Sequence, residues 1–200
     1  QVLQVKQVEA IHQMETHQQI VVVVEEDTLV VVVVEDQVDL DMLWLLMTSV
    51  EIFNLEIDNK EDIKNFLKNE LIFTSHKLQT GNAISTYQTY GKLFEQFDVF
   101  SELSKSIIEK VNMPFMDMWA NVNPPGTNVR PHNHYSPNHP NSLVGVYYLR
   151  KPTNSGNLII EGEMIDIQED DIIFFNDKDI HWTQKNKSNE DRITISFNML

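Results

Sequence analysis

The sequence predicts an α+β fold whose main body is a β-barrel or β-sandwich, with helices ahead of it in the chain. Two observations carry this. Apolar residues recur at helical spacing as far as Val111, and after Pro114 the period switches to two and stays there. Turn signals then punctuate the chain at short intervals, at Pro124-Pro-Gly, Pro152–Gly156 and Asn176–Asp179.

Residues 1–46 stand apart in composition. They hold thirteen Val and seven Gln, no Gly or Pro, and one basic residue, Lys6, against nine acids. The valine runs Val21–Val24 and Val30–Val34 favour strands, and Glu-Glu-Asp between them can form a turn, so a hairpin is one reading. Neither run alternates with polar residues, which leaves an isolated hairpin with no face suited to water. We expect this Val/Gln-rich extension to lie outside the domain proper. Gln1 fits a fragment or an over-extended reading frame, and Met47 would make an ordinary start. His12 and His17 fall in it and carry no weight as ligands.

The domain is expected over 47–200. Val50–Ile57 reads as a strand, and Asp58-Asn-Lys-Glu61 as a capping box. Ile63, Phe66, Leu67 and Leu71 follow at helical spacing. Gly81–Tyr90 is polar and reads as a loop. One longer helix is expected over Lys92–Val111, with Leu93, Phe97, Phe100, Leu103, Ile107 and Val111 forming the stripe that packs on a sheet. In Phe115–Asn123, Asp117, Trp119, Asn121 and Asn123 share one face, and Met116, Met118, Ala120 and Val122 the other. Further strands are expected at Leu143–Leu149, Leu158–Glu161, Met164–Gln168, Asp171–Phe175 and Ile193–Met199.

Bulk properties narrow the function. With 15 basic and 30 acidic residues the net charge is -15, which argues against broad phosphate contact with nucleic acid or docking on an anionic membrane. There is no cysteine, so no disulfide framework, thiolate zinc site or thiol nucleophile; a cytoplasmic location is compatible. No uncharged apolar stretch reaches the length of a membrane span, and no signal peptide is evident.

The chemistry centres on Gly126–His139. His132 and His134 are two apart, so on an extended segment both imidazoles face the same way and can chelate one divalent transition metal. On the pair alone, a surface loop rich in His and Asn is an equal reading. His181 follows the strand Asp171–Phe175 and its turn. Arg192, Thr194, Ser196 and Asn198 share one face of the last strand. Between Arg130 and Glu161 there is no Asp or Glu, so metal ligands there must be histidines, other neutral groups or water. An inward-facing arginine with a hydroxyl two residues on can bind a ligand carboxylate or phosphate. Taken alone, a salt bridge to one of the many acids is the plainer reading of Arg192.

In order and spacing these segments resemble the iron(II)/2-oxoglutarate-dependent oxygenases, in particular the small ones common in phage and marine bacterial genomes. The matching stretches are Trp119-Ala-Asn121, Pro125-Gly126, His132-Asn-His134, Ser142-Leu-Val-Gly145-Val-Tyr-Tyr-Leu149, Asp171-Ile-Ile-Phe-Phe, His181 and Arg192-Ile-Thr194-Ile-Ser-Phe197-Asn198. The likeness is strong over 115–200, the metal-binding core, and one of general layout over 47–114.

The resemblance implies a double-stranded β-helix, a jelly-roll or cupin-like barrel with N-terminal packing helices. It implies Fe(II) held by His132, His134 and His181, and 2-oxoglutarate bound by Arg192 and Thr194, with Tyr147 and Asn121 as extra contacts. Co-substrate and O2 would be consumed to hydroxylate an unidentified substrate, peptidyl-proline by analogy, releasing succinate and CO2; ascorbate would be an auxiliary reductant. No nucleic-acid or membrane partner and no particular oligomeric state is implied, and a phage-encoded copy would act in the host cytoplasm.

One departure stands out. The common set is two His and one carboxylate, and here a histidine occupies the acid's place. Either His134 replaces the acid or only two of the histidines bind, with His139 as a spare. Three alternatives remain: a cupin-like metal protein, a three-histidine zinc enzyme, and a plain β-sandwich module with fortuitous histidines. Substrate specificity is expected in Leu71–Tyr90 and Thr127–Asn141.

Overall fold

The computed structural model describes residues 19–25, 28–34, 50–69, 83–84, 87–89 and 91–200. The chain divides into two compact units, Gln1–Leu46 and Met47–Leu200. In the first, the valine runs pair as an antiparallel hairpin of β1 (Gln19–Glu25) and β2 (Thr28–Val34), with Glu25 opposite Thr28. His12 and His17 lie outside the described residues. So does Leu71.

The second unit is built on antiparallel sheets. Its strands are β3 (Glu51–Asn54), β4 (Ala83–Ile84), β5 (Tyr87–Gln88), β6 (Phe115–Asn123), β7 (Asn128–Val129) and β8 (Leu143–Arg150). They continue with β9 (Leu158–Ile160), β10 (Glu163–Ile165), β11 (Asp171–Asn176), β12 (His181–Thr183) and β13 (Arg192–Met199). The larger sheet runs β3-β11-β8-β13-β6-β5, the smaller β10-β9-β12, and β4 pairs with β7. Helices α1 (Lys60–Asn69), α2 (Leu93–Gln96) and α3 (Ser101–Val111) precede the main strands. No helix among the described residues is long and apolar enough to cross a membrane.

The two faces of the larger sheet have different jobs. Val144, Val146 and Tyr148 of β8 and Ile173 and Phe175 of β11 meet Leu158 and Ile160 of the smaller sheet, with Ile167, in one buried cluster. Each such side chain contributes roughly 1.5–3 kcal/mol by leaving water. On the other face, Phe94 of α2 packs at 5.1 Å on Phe115, whose ring meets Phe197 edge-on at 5.3 Å. Gly145 makes this possible, because a Cβ there would lie 2.0 Å from the Phe197 ring.

The structure corrects five local expectations. The helix expected over Lys92–Val111 is broken: Phe97 is extended (φ -142, ψ 118), and a 310 turn at Asp98–Phe100 separates α2 from α3. The break lets Phe97 stack on Phe66 of α1 at 4.8 Å while Phe100 meets the same ring at 5.9 Å. The capping box at Asp58 does not form; instead Asp58 N–H donates to Glu102 and Asn59 Nδ2 to the Val99 carbonyl, tying the start of α1 to its neighbour. The polar stretch 81–90 contains β4 and β5, strands of two residues each that exist by pairing with β7 and β6. The strand expected to reach Gln168 ends at Ile165, and His181–Thr183, expected only as a re-entry, is a strand paired with β9.

Candidate metal centre

Backbone pairing brings the three histidines together. His132 and His181 face each other across an antiparallel bridge, His132 N donating to His181 O at 3.1 Å and His181 N to His132 O at 2.9 Å. Two residues on, His134 N donates to the Asp177 carbonyl at 2.9 Å, so the extended segment holds both imidazoles on one side, as the spacing requires. Ring centroids lie 4.3 Å (His132–His181), 5.0 Å (His134–His181) and 5.3 Å (His132–His134) apart. One ligand atom from each histidine falls within 4.8 Å of the others.

The ring partners settle the tautomers. Nδ1 of His132 contacts the Arg130 carbonyl at 2.8 Å, and Nδ1 of His181 the Asp179 carbonyl at 3.0 Å. Nδ1 of His134 contacts Oδ1 of Asn198 at 2.8 Å. All three partners are oxygens that only accept, so each Nδ1 carries the proton and each Nε2 keeps its lone pair. Nε2 of His132 and Nε2 of His134 are then 3.4 Å apart with no proton to share. Facing lone pairs repel, and a cation between them removes the repulsion; this donor set suits a divalent transition metal. Burial pushes the His132, His134 and His181 pKa values down, His181 to about 3, helped there by neighbouring His132. The cluster therefore stays neutral and ready to ligate at ordinary pH.

The imidazoles open on a cavity of about 200 Å3 between the sheets. Trp119, Asn121, Tyr148, Thr183, Arg192, Thr194 and Ser196 line it with them. Arg192 is fully buried, yet no carboxylate pairs with it among the described residues. Its Nη1 donates to the carbonyls of Ser155 (2.7 Å), Gly156 (3.2 Å) and Gln184 (3.4 Å), its Nη2 to Thr183 Oγ1 (2.8 Å), and its Nε has no partner. Gly156 (φ +85) is required at this approach, since a Cβ would sit 2.6 Å from the Gln184 carbonyl oxygen. Carbonyl dipoles orient the guanidinium without neutralising it. A buried cation so placed could receive an anionic group.

Of the residues singled out in the sequence, His132, His134, His181, Arg192, Thr194 and Asn121 all reach this cavity. Asn121 is held there by Ser196 (2.9 Å) and Thr194 (3.4 Å). Tyr147 is not brought to it: its hydroxyl donates to Asp170 at 2.9 Å away from the cavity, and Tyr148 points inward instead. Burial pushes the Tyr148 phenol up to about 12, so it remains a donor. Sequence reasoning missed Tyr148, because β8 is buried along both faces and its alternation carries no inside-outside signal. Thr183 was missed as well, since a three-residue strand has too few positions to show a period.

No family model matches the chain, and no curated protein matches it. Solved structures do. A viral collagen prolyl hydroxylase from Paramecium bursaria Chlorella virus-1, in complex with 2-oxoglutarate, matches at TM-score 0.56 and 16% identity, over 75% of this chain and 95% of that one. HygX from Streptomyces hygroscopicus, with nickel and 2-oxoglutarate bound, matches at TM-score 0.56 and 10% identity, over 82% and 87%. A prolyl hydroxylase from Trichoplax adhaerens, in complex with a hypoxia inducible factor oxygen degradation domain peptide fragment, matches at TM-score 0.57 and 15% identity, over 79% and 86%. In fold, the chain resembles the 2-oxoglutarate-dependent iron oxygenases.

Proposed function

We propose that residues 47–200 form an Fe(II)- and 2-oxoglutarate-dependent oxygenase on a double-stranded β-helix, the two facing sheets being its walls. The observation that supports this most is the pairing, within one cavity, of three neutral imidazoles with a buried arginine that has no acidic partner among the described residues. Each half makes sense of the other: one needs a cation, and the other a carboxylate.

In this reading His132, His134 and His181 hold the metal through Nε2. Arg192 binds the distal carboxylate of 2-oxoglutarate, assisted by the hydroxyls of Thr194 and Tyr148, and Asn121 lines the same space. Iron with 2-oxoglutarate and O2 supplies, when bound, the oxidising power to hydroxylate a C–H bond, with succinate and CO2 as the other products. The chain's own residues orient and exclude. The Arg130 and Asp179 carbonyls and Asn198 fix the imidazole rings, and Trp119, 5.6 Å from the His134 ring, covers one side of the centre. A cavity of this size, once it holds a five-carbon diacid, leaves the substrate to present its reacting group from the mouth. A peptide side chain meets that demand, and the peptide-bound relative makes a peptidyl-proline the natural class to try first.

The all-histidine set also suits zinc, so a zinc enzyme acting without 2-oxoglutarate is the second reading. Oxygen-free titration of the metal-stripped protein with Fe(II) and then 2-oxoglutarate separates the two. A keto acid chelated to Fe(II) gives a weak visible charge-transfer band, and we expect it here. Replacing Arg192 by Gln removes a charge-assisted contact of about 1.5–3 kcal/mol, weakening the 2-oxoglutarate titration roughly 10- to 150-fold. Iron binding without the band rejects the co-substrate, and failure to bind any metal rejects the centre itself.

A further inference from the structure

We propose that Asp117 and Asn198 are a positioning pair that lends the metal centre the negative charge its three-histidine ligand set lacks. The inference rests on the metal-site reading above and adds residues that the reading does not use.

The three histidines are not equivalent in what stands behind them. Nδ1–H of His132 and of His181 ends on a backbone carbonyl, a neutral acceptor. Nδ1–H of His134 ends on Oδ1 of Asn198 at 2.8 Å, and the same amide donates through Nδ2 to Oδ1 of Asp117 at 2.8 Å. The backbone N–H of Asn198 reaches that carboxylate oxygen as well, at 3.2 Å. The amide cannot turn over, because its donor end is claimed by a carboxylate and its acceptor end by an N–H. The result is one oriented chain of carboxylate, amide and imidazole, in which each bond polarises the next.

The sheet builds the chain. Asn198 and Asp117 are opposite partners in the β13–β6 register, and both lie on the cavity-facing side of their strands. Burial raises the Asp117 pKa above the ordinary carboxylate value, and its two bonds from Asn198 and the nearby Lys92 ammonium offset only part of that rise. A negative charge two hydrogen bonds behind an imidazole makes its Nε2 a better donor to a metal and fixes the ring's aim. In the commoner ligand set a carboxylate sits on the metal itself. Here the carboxylate is displaced outward, leaving the ligand set neutral and the charge one amide away.

The test is an oxygen-free Co(II) titration of the full chain after metal stripping, reading both affinity and the ligand-field spectrum. Asp117→Asn keeps the shape and removes the charge, and it should weaken Co(II) binding about tenfold and shift the spectrum. The double variant Asp117→Asn/Asn198→Asp moves the carboxylate directly behind His134 with an amide to hold it, and should restore wild-type affinity. A weakened single variant that the double variant fails to restore makes the pair a packing feature and overturns the charge role. Unchanged binding in the single variant overturns it outright, whereas a wild type that binds no Co(II) defeats the metal centre and not this inference alone. If Asp117→Asn does not fold, nitrogen-15 spectra of the wild type decide. The Nδ1 proton of His134 should then lie downfield of those of His132 and His181, and coincidence of the three refutes the pair.

Discussion

Acid should destabilise the metal-free protein at a pH where its carboxylates are still ionised, and His181 sets the size of the effect. Its folded pKa is lowered to about 3 by burial and by His132, against an ordinary 6.5. A lowered folded value means the unfolded chain takes up the proton first, so stability is full above about pH 6.5 and is lost as pH falls towards 3. Between pH 8 and pH 5 the unfolded imidazole becomes charged and the folded one does not. At about 1.4 kcal/mol per pH unit over roughly 1.5 units, His181 alone removes about 2 kcal/mol. His132 and His134 are shifted in the same direction and add to it. Asp117 and Asp179 are raised by burial and act in the opposite sense, so the window should stay above pH 5, where carboxylates contribute least. The assay is urea unfolding of the metal-free chain at pH 8, 6.5 and 5, beside His181→Gln, which cannot titrate. Wild type should lose about 2 kcal/mol more than the variant across the window. Zinc should raise wild-type stability across the window without flattening the slope, because the folded imidazole is already neutral and the unfolded one still takes up its proton. Parallel slopes for wild type and variant would mean that no buried neutral imidazole exists at position 181, and the metal argument would lose its basis.

Three further predictions test neighbouring parts of the structure. Gly145→Ala places a Cβ 2.0 Å from the Phe197 ring; overpacking of this kind should cost about 3 kcal/mol and lower Tm by about 6–12 °C in thermal unfolding. Tyr148→Phe should weaken 2-oxoglutarate binding about tenfold, as the inward hydroxyl is lost. Tyr147→Phe should leave that binding unchanged and cost about 1 kcal/mol of stability through the lost Asp170 bond.

Much of the site was legible because its geometry is local. Alternation along 115–123 and 192–199 assigns Asn121, Thr194, Asn198 and Arg192 to the faces they occupy, and the i, i+2 spacing of His132 and His134 fixes their common side. Period and turn signals placed β6, β8, β9, β11 and β13 to within a residue of their observed ends, whereas the strands expected to reach Ile57 and Gln168 stop three residues short, at Asn54 and Ile165. Other features depend on which segments meet. Phe97 belongs to a helical stripe by spacing, but contact with Phe66 draws it into an extended conformation. Tyr147 and Tyr148 sit in a strand apolar on both faces, and only the pairing of Ile173 with Val146 decides which tyrosine looks inward. The sequence by itself determined the donors and their order along the chain, since side-chain chemistry and period two are properties of neighbours. Tertiary structure decided that His181 lies opposite His132, that Arg192 meets carbonyls and, among the described residues, no acid, and that Asp117 stands behind His134. Those facts arise from strand register and close packing between residues far apart in the chain, where the nearest partner in space is not written in the nearest residues in sequence.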